Sequence, residues 1–292
     1  MAGTILGPMK PTPARLIASV LVVYLFWAGP ARAASVQSPT AFDLATGPLK
    51  EVSGCAFSKR SPNLVWLHND SGDVARVFSL DLAKRTVRPV TVIGAEALDW
   101  EDMASAPDGT LLIADIGDNN ARRDNVVVYR IPEPTRADRS VTATARTLRY
   151  DDGPHDAEAL VVDPTDGSVF VITKEAQGAS KVFVAEGETL RNVGAITLDE
   201  GGFFFPNRIT GADALADGSG VVLRTYQSGY LLRRTKGTPW RAALDAKPEP
   251  FALPAMIQGE SICARPKSRS VFTTSESRGA ARIPVAITPV PK

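Results

Sequence analysis

Five positions along the chain carry an oxygen-bearing side chain at the entry to a short apolar run. They are Ser53 in SGCAF, Glu101 in WEDMA, Glu158 in AEALV, Thr210 in TGADAL and Glu260 in GESICA. Three carboxylates and two hydroxyls brought to one point would repel unless protonated or paired with a cation. A hard ion that takes six to eight oxygens at about 2.3 to 2.6 Å suits such a set, which describes Ca²⁺ better than the smaller, stricter Mg²⁺. Zinc fits poorly, because the two histidines are scattered and both cysteines sit in apolar runs. The competing reading of the same five residues is a water-filled polar channel in which they solvate one another.

Repetition is what would bring them together. The steps between the markers are 48, 57, 52 and 50 residues, close to the span of about 40 to 50 residues of one four-stranded propeller blade. Glu101, Glu158 and Glu260 each stand six residues before a proline, and Asp108-Gly109 follows Glu101 as Asp217-Gly218 follows Thr210. Within a repeat, short β-branched runs alternate with turns of Gly, Pro and Asp, as in MASA, PDG, TLLIAD and NVVVYRI. That pattern reads as strands throughout, with no sustained helical period. The expected fold is therefore all-β, a single β-propeller over residues 34–292 with five four-stranded blades. The last repeat shows only three strands, and the strand near TAFDLA, which stands alone before the first repeat, would complete that blade and close the ring. A sixth, degenerate blade stays open at 190–208 or 236–256.

In such a ring, the entry to each inner strand and the exit of the second strand open on one face. The entries add Asp99, Asp102, His155 and Asp156 to the markers. The exits add His68-Asn69-Asp70-Ser71-Gly72, Asp115-Ile116-Gly117-Asp118-Asn119, Thr173-Lys174-Glu175, Arg224-Thr225-Tyr226 and Ser275-Glu276-Ser277. Asp70 or His68 could position a water there, histidine because it titrates near neutrality. Lys174 and Arg224 could offset charge or hold an anion. Each cluster also has a plain reading: HNDSG and DIGDN are good turn sequences, and a basic side chain is by default solvated. Arg278 could hold an anion as Lys174 and Arg224 could; Arg122, Arg123 and Arg208 are weaker candidates, and Trp100 reads as packing between blades. The expected partner is a small-molecule or anionic ligand at this polar face, with the protein a monomer.

The first residues place Lys10 and Arg15 before an apolar run, Leu16 to Gly29, and then Ala31-Arg32-Ala33. This order reads as a signal peptide, residues 1–33, and a secreted protein. The run is short for a bilayer span of about 20 residues, and no other segment is long and apolar enough, so no stable membrane span is expected after cleavage. Residues 1–33 hold three of the 33 basic residues and none of the 32 acidic ones, which leaves 30 against 32, a net charge of −2. A near-neutral chain has no general electrostatic affinity for nucleic acid.

Cys55 and Cys263 fall in the first and last repeats, which ring closure makes neighbours, and an exported chain permits a disulfide. Cys55 stands two residues past its marker and Cys263 three, and one residue of offset reverses side-chain direction on a strand. A bridge and two buried thiols both stay open. GxxxxGK[ST], HExxH and GxSxG are absent, and GESIC at 259–263 lacks the last glycine of a nucleophile elbow.

The phrases HNDSG, DWEDMA, DIGDN, DAEAL and TGADAL resemble exported bacterial β-propellers of the phytase-like group. The order Ser, Glu, Glu, Thr, Glu also resembles the calcium-activated nucleotidases, or apyrases, five-bladed propellers with serine and glutamate side chains around a central Ca²⁺. That likeness implies a calcium ring of Ser53, Glu101, Glu158, Thr210 and Glu260. It also carries a catalytic aspartate over to Asp70, while Asn69 replaces the preceding aspartate and the arginine of that family's stretch is missing. The resemblance implies a Ca²⁺-dependent hydrolase of phosphate esters. The alternatives are a non-catalytic propeller that binds a ligand or wall component around a structural ion, and a lactone or ester hydrolase at the same ion.

Overall fold

In the computed structural model, residues 40–175, 179–198 and 207–292 are described, all within the unit Gln37–Lys292. The signal-peptide reading of residues 1–33 lies outside the described residues. The strands follow in chain order. A first strand, β1 (Thr40–Ala45), precedes β2 (Val52–Phe57), β3 (Leu64–Asn69), β4 (Arg76–Asp81) and β5 (Thr86–Ile93). Next come β6 (Trp100–Ser105), β7 (Thr110–Asp115), β8 (Val126–Pro132), the short β9 (Ser140–Thr142) and β10 (Thr144–Tyr150). The third set is β11 (Ala157–Val162), β12 (Val169–Thr173), β13 (Ala179–Glu186) and β14 (Thr189–Thr197). The fourth is β15 (Ile209–Ala214), β16 (Gly220–Thr225), β17 (Ser228–Arg233) and β18 (Glu249–Ala252), with a single helical turn, α1 (Trp240–Ala243), before β18. The chain ends with β19 (Gly259–Ala264), β20 (Ser270–Ser275) and β21 (Arg282–Pro289).

Each set is an antiparallel meander, and the last is completed by β1, which pairs along its whole length with β21. The inner strands β2, β6, β11, β15 and β19 lie each against the next, and β19 returns to β2. This is a β-propeller, closed by its N-terminal strand. The segments read as open to a sixth blade hold β14 and β18, the outermost strands of the third and fourth sheets; residues 199–206 lie outside the described residues. Two parallel contacts tie neighbouring sheets at their outer edges, β9 to β5 and β10 to β14.

The inner strands β2, β11 and β19 are buried along their whole length, whereas the outer β5 alternates between buried and exposed. This division is expected when a blade is covered on both faces near the axis and meets water at its rim. The apolar side chains form five clusters among the described residues, one at each junction between sheets. Trp66 and Trp100 are both in the cluster between the first and second sheets. Each large apolar side chain fully buried there contributes about 1.5 to 3 kcal/mol. Trp100 therefore does pack between sheets, and its indole N–H donates to Glu96 O at 2.8 Å.

Polar ties cross the junctions where apolar packing cannot reach. The Asp102 carboxylate is fully buried and accepts the backbone N–H groups of Met103, Leu160 and Ala212 at 2.8, 2.8 and 3.2 Å. One side chain on β6 thus caps donors of β11 and β15. Asp213 does the same between β15 and β19, accepting from Ala214 and Ala264.

The cysteines need a correction to the offset argument. Cys55 and Cys263 are both fully buried in the cluster between the last and first sheets, with Phe57, Leu67 and Phe272. Their strands face this junction from opposite sides, so side chains that meet across it must point in opposite senses. A one-residue difference in offset is therefore what brings them together.

Candidate functional site

All five markers sit where the inner strand carries one extra residue against its neighbour. Val52 pairs with Asn69 but Cys55 with Leu67; Trp100 pairs with Asp115 but Asp102 with Ala114. The same shift falls at Glu158, at Thr210 and across Glu260. A β-bulge re-aims the bulged side chain and ends regular pairing. Five bulges at equivalent places turn these side chains out of the ladder at the entry end of each strand.

The five do not form one even ring. Ser53 Oγ donates to Glu101 O at 2.6 Å and to Glu101 Oε2 at 3.3 Å. Thr210 Oγ1 donates instead to Gly259 O at 3.2 Å, so its hydroxyl is committed to backbone. Glu158 is buried and ion-paired with Lys174, whose ammonium also lies 5.7 Å from the centre of the Tyr226 ring. Glu260 is buried and accepts from Gln258 Nε2 at 3.0 Å, and the Glu276 carboxylate raises it further. The second carboxylate oxygens of Glu158 and Glu260 have no hydrogen-bond partner among the described residues.

Among the described residues, three carboxylates converge between the first two sheets, and only Glu101 of them is a marker. Carboxylate oxygens of Asp70, Asp99 and Glu101 all lie within 4.8 Å of one another. Asp70 follows β3, its N–H donates to Glu51 O at 2.7 Å, and its carboxylate accepts the N–H of Ser71. Asp99 is held from below: the fully buried Asp115 accepts the N–H groups of Leu98 and Asp99, each at 3.3 Å. Arg123 pairs with that same Asp115 at 2.7 Å. Gly117 completes the cradle. A Cβ added there would stand 2.3 Å from Glu101 Oε1 and 2.5 Å from the Asp99 carboxylate, so it would push the two acids out of the positions in which they converge.

Crowding of like charge in a partly dry site shows in the acidities. Burial, then the Asp70 and Asp156 carboxylates, push Asp99 up to about 6. Burial, then Asp70, Asp99 and Glu260, hold Glu101 well above the ordinary range. Asp70 is raised by burial and by Glu276 and Glu51, against the pull of the Ser71 N–H. Glu260 and Glu276 are both raised, chiefly by burial. Lys174 is the cation that lowers Asp70, Glu101 and Glu276 alike.

Two of the sequence candidates are elsewhere. His68 is fully buried on β3, with Nδ1 2.9 Å from Asn69 O and its ring edge-on to Trp100 at 5.5 Å. Burial lowers it to about 4, so it is neutral near pH 7 and has no access to a substrate at the face. Arg224 is also fully buried; its guanidinium lies across Gly259 and reaches Ser261 O and Met256 Sδ, each at 3.3 Å. Both were expected at the face because they end second strands, but their side chains turn inward between sheets. Of the catalytic candidates, Asp70 and Lys174 remain at the site.

Other polar clusters have structural duties. Asn69 donates to Pro48 O and Asp73 Oδ2 and accepts from Lys50 and Glu51, a role an aspartate could not fill for want of donors. His155 pairs with Asp152 at 2.7 Å. Asp118 accepts the N–H groups of Arg122 and Arg123, both at 2.6 Å. Asp99, Asp115, Gly117 and Glu276 were visible only as members of the entry and exit loops. The signal that could have singled out Asp99 is its place two residues before a marker, facing the glycine of DIGDN.

No family model matches the chain, and no curated protein sequence does. Among solved structures, it is similar to the PQQ-bound aldose sugar dehydrogenase of Streptomyces coelicolor, at 9% identity and a TM-score of 0.53, covering 86% of this chain and 98% of that one. A gluconolactonase of Xanthomonas campestris matches at 11% identity and a TM-score of 0.46, covering 82% and 86%. The β-propeller domain of Cps50 (Swd1) from Myceliophteria thermophila matches at 11% and 0.42, covering 84% and 99%. The first of these likenesses carries the fold alone, and with the ring of sheets it identifies the chain as a β-propeller.

Proposed function

We propose that Asp70, Asp99 and Glu101 hold a Ca²⁺ ion and that the chain is a calcium-dependent hydrolase of uncharged carboxylic esters or lactones, acting outside the cytoplasm. The observation that carries the reading is the convergence of three carboxylates over a glycine on which a Cβ would displace two of them. The donor set fits the ion: oxygen only, crowded enough to be unfavourable without a cation, with further oxygens on Glu158 and Glu260 that have no hydrogen-bond partner among the described residues. When bound, such an ion polarises a carbonyl oxygen and makes water more acidic.

The rest falls to the chain's own residues. Asp115 and Arg123 fix the Asp99 loop. Ser53 orients Glu101 through its hydroxyl. Lys174 offsets part of the surplus negative charge and holds Glu158 in place.

The substrate class follows from charge. A phosphate ester would need cations at the mouth, and of the two expected, Arg224 is buried and Lys174 is already paired. The carboxylates of Asp70, Asp99, Glu101, Glu158, Glu260 and Glu276, to the extent that they ionise, outweigh one Ca²⁺ and Lys174 and repel an anion, whereas an uncharged ester has no such penalty. Phosphate-ester hydrolysis and an anionic ligand therefore have less support than the ester or lactone reading.

A second reading is favoured by one specific observation: His68 is buried between sheets and His155 is paired with Asp152, so neither imidazole is free at the face to act as a base. In it the ion only stabilises the ring and the face binds a ligand without turnover. The discriminating test melts the protein after EDTA treatment and again with Ca²⁺ or Mg²⁺ added back, then assays aryl esters, lactones and aryl phosphates. A calcium-specific rise in melting temperature with ester or lactone turnover supports the enzyme. The same rise without turnover supports the second reading, and no rise removes the ion from both.

A further inference from the structure

Cys55 and Cys263 have no part in the site described above. They lie on β2 and β19, the inner strands of the first and last sheets, where the ring closes. Both are free thiols, fully buried in one apolar cluster on strands that lie against each other. Among the described residues they are the chain's two cysteines, and they meet across a junction between different sheets. A disulfide needs Cβ atoms about 3.5 to 4.5 Å apart, and two side chains packed into one cluster across this junction are placed to approach that arrangement.

We propose that Cys55 and Cys263 form a disulfide clasp across the closing junction when the chain folds in an oxidising environment. The step is thiol–disulfide exchange with a small or protein disulfide as oxidant. One cysteine thiolate attacks the oxidant's sulfur and releases the first thiol. The other cysteine thiolate then attacks the mixed disulfide and releases the second, so that two electrons and two protons leave the protein and reduce the oxidant's bond.

Burial raises both thiols and disfavours the thiolate in the finished fold. The exchange therefore belongs to a late folding stage, at which β19 has approached β2 but the cluster of Phe57, Leu67 and Phe272 has not yet sealed over them. The loop so closed takes in every blade but the last, the case in which a cross-link most restricts the unfolded chain.

The test refolds the full chain from denaturant in a glutathione redox buffer, quenches with acid, and alkylates in denaturant without reductant. The expected result is no alkylation, an intact mass lower than the reduced protein by two hydrogens, a proteolytic fragment joining the two segments, and a melting temperature that falls on adding reductant. Two alkylated thiols after refolding to the native circular-dichroism spectrum overturn the proposal, as does a mass showing a bridge between two chains. Cys263→Ser serves as the second variant: its melting temperature should not respond to reductant, and a response equal to that of the wild type would also overturn the clasp.

Discussion

Gly117 and Glu101 share one position in space: the carboxylate of Glu101 stands 2.3 Å from where a Cβ on Gly117 would be. Bare backbone there leaves Asp99 and Glu101 room to face Asp70. Gly117→Ala should therefore destabilise the protein by about 1 to 3 kcal/mol through overpacking. It should also abolish most of the calcium-dependent rise in melting temperature. A variant that kept the full rise would show that the two acids need not converge over this glycine.

Asp115 acts one layer behind the acids, with Arg123 on one side and the N–H groups of Leu98 and Asp99 on the other. Asp115→Asn keeps the shape but weakens both sets of bonds. Calcium affinity, read by titration calorimetry, should fall by about 10- to 100-fold. An unchanged affinity would mean that the Asp99 loop is held without it.

His68 gives a pH dependence with a definite sign. Its pKa is lowered in the fold from 6.5 to about 4, so the unfolded chain takes up a proton that the native protein excludes. The stabilisation is fully present above pH 6.5 and is lost as pH falls through the window down to about 4, for a total of about 3 kcal/mol. Urea midpoints measured across this range should fall more steeply for the wild type than for His68→Gln. Parallel curves would show that the imidazole is protonated in the native state.

Asp102 ties three inner strands through backbone donors on β6, β11 and β15. Asp102→Ala leaves those donors buried and unpaired, at about 1 to 3 kcal/mol each. Urea denaturation should show a loss of at least about 3 kcal/mol or a chain that no longer folds. A loss under about 1 kcal/mol would mean that water replaces the carboxylate.

Repetition made the fold readable from letters. Ser53, Glu101, Glu158, Thr210 and Glu260 recur because each enters an inner strand, and the same turn chemistry follows Asp108 and Asp217, whose carboxylates accept the N–H groups of Thr110 and Ser219. Side-chain direction was less legible. An extra residue at each marker shifts the pairing beyond it, and no letter announces that shift. His68 and Arg224 end second strands as expected yet point between sheets, where Gly54 and Gly259 leave room for them. The meeting of Asp70 with Asp99 joins two different sheets, a relation that spacing within one repeat does not express.

The pairing of β1 with β21 sets an order of events in the cell. Among the described strands the outermost strand of the last sheet is made first and its partner last, so β21 must be made before the ring can join. Until then β1 has no partner and the nascent protein exposes strand edges that could pair with other chains. A propeller closed in this way behaves as a single cooperative unit, and removing a few residues from either end of it strikes the same sheet.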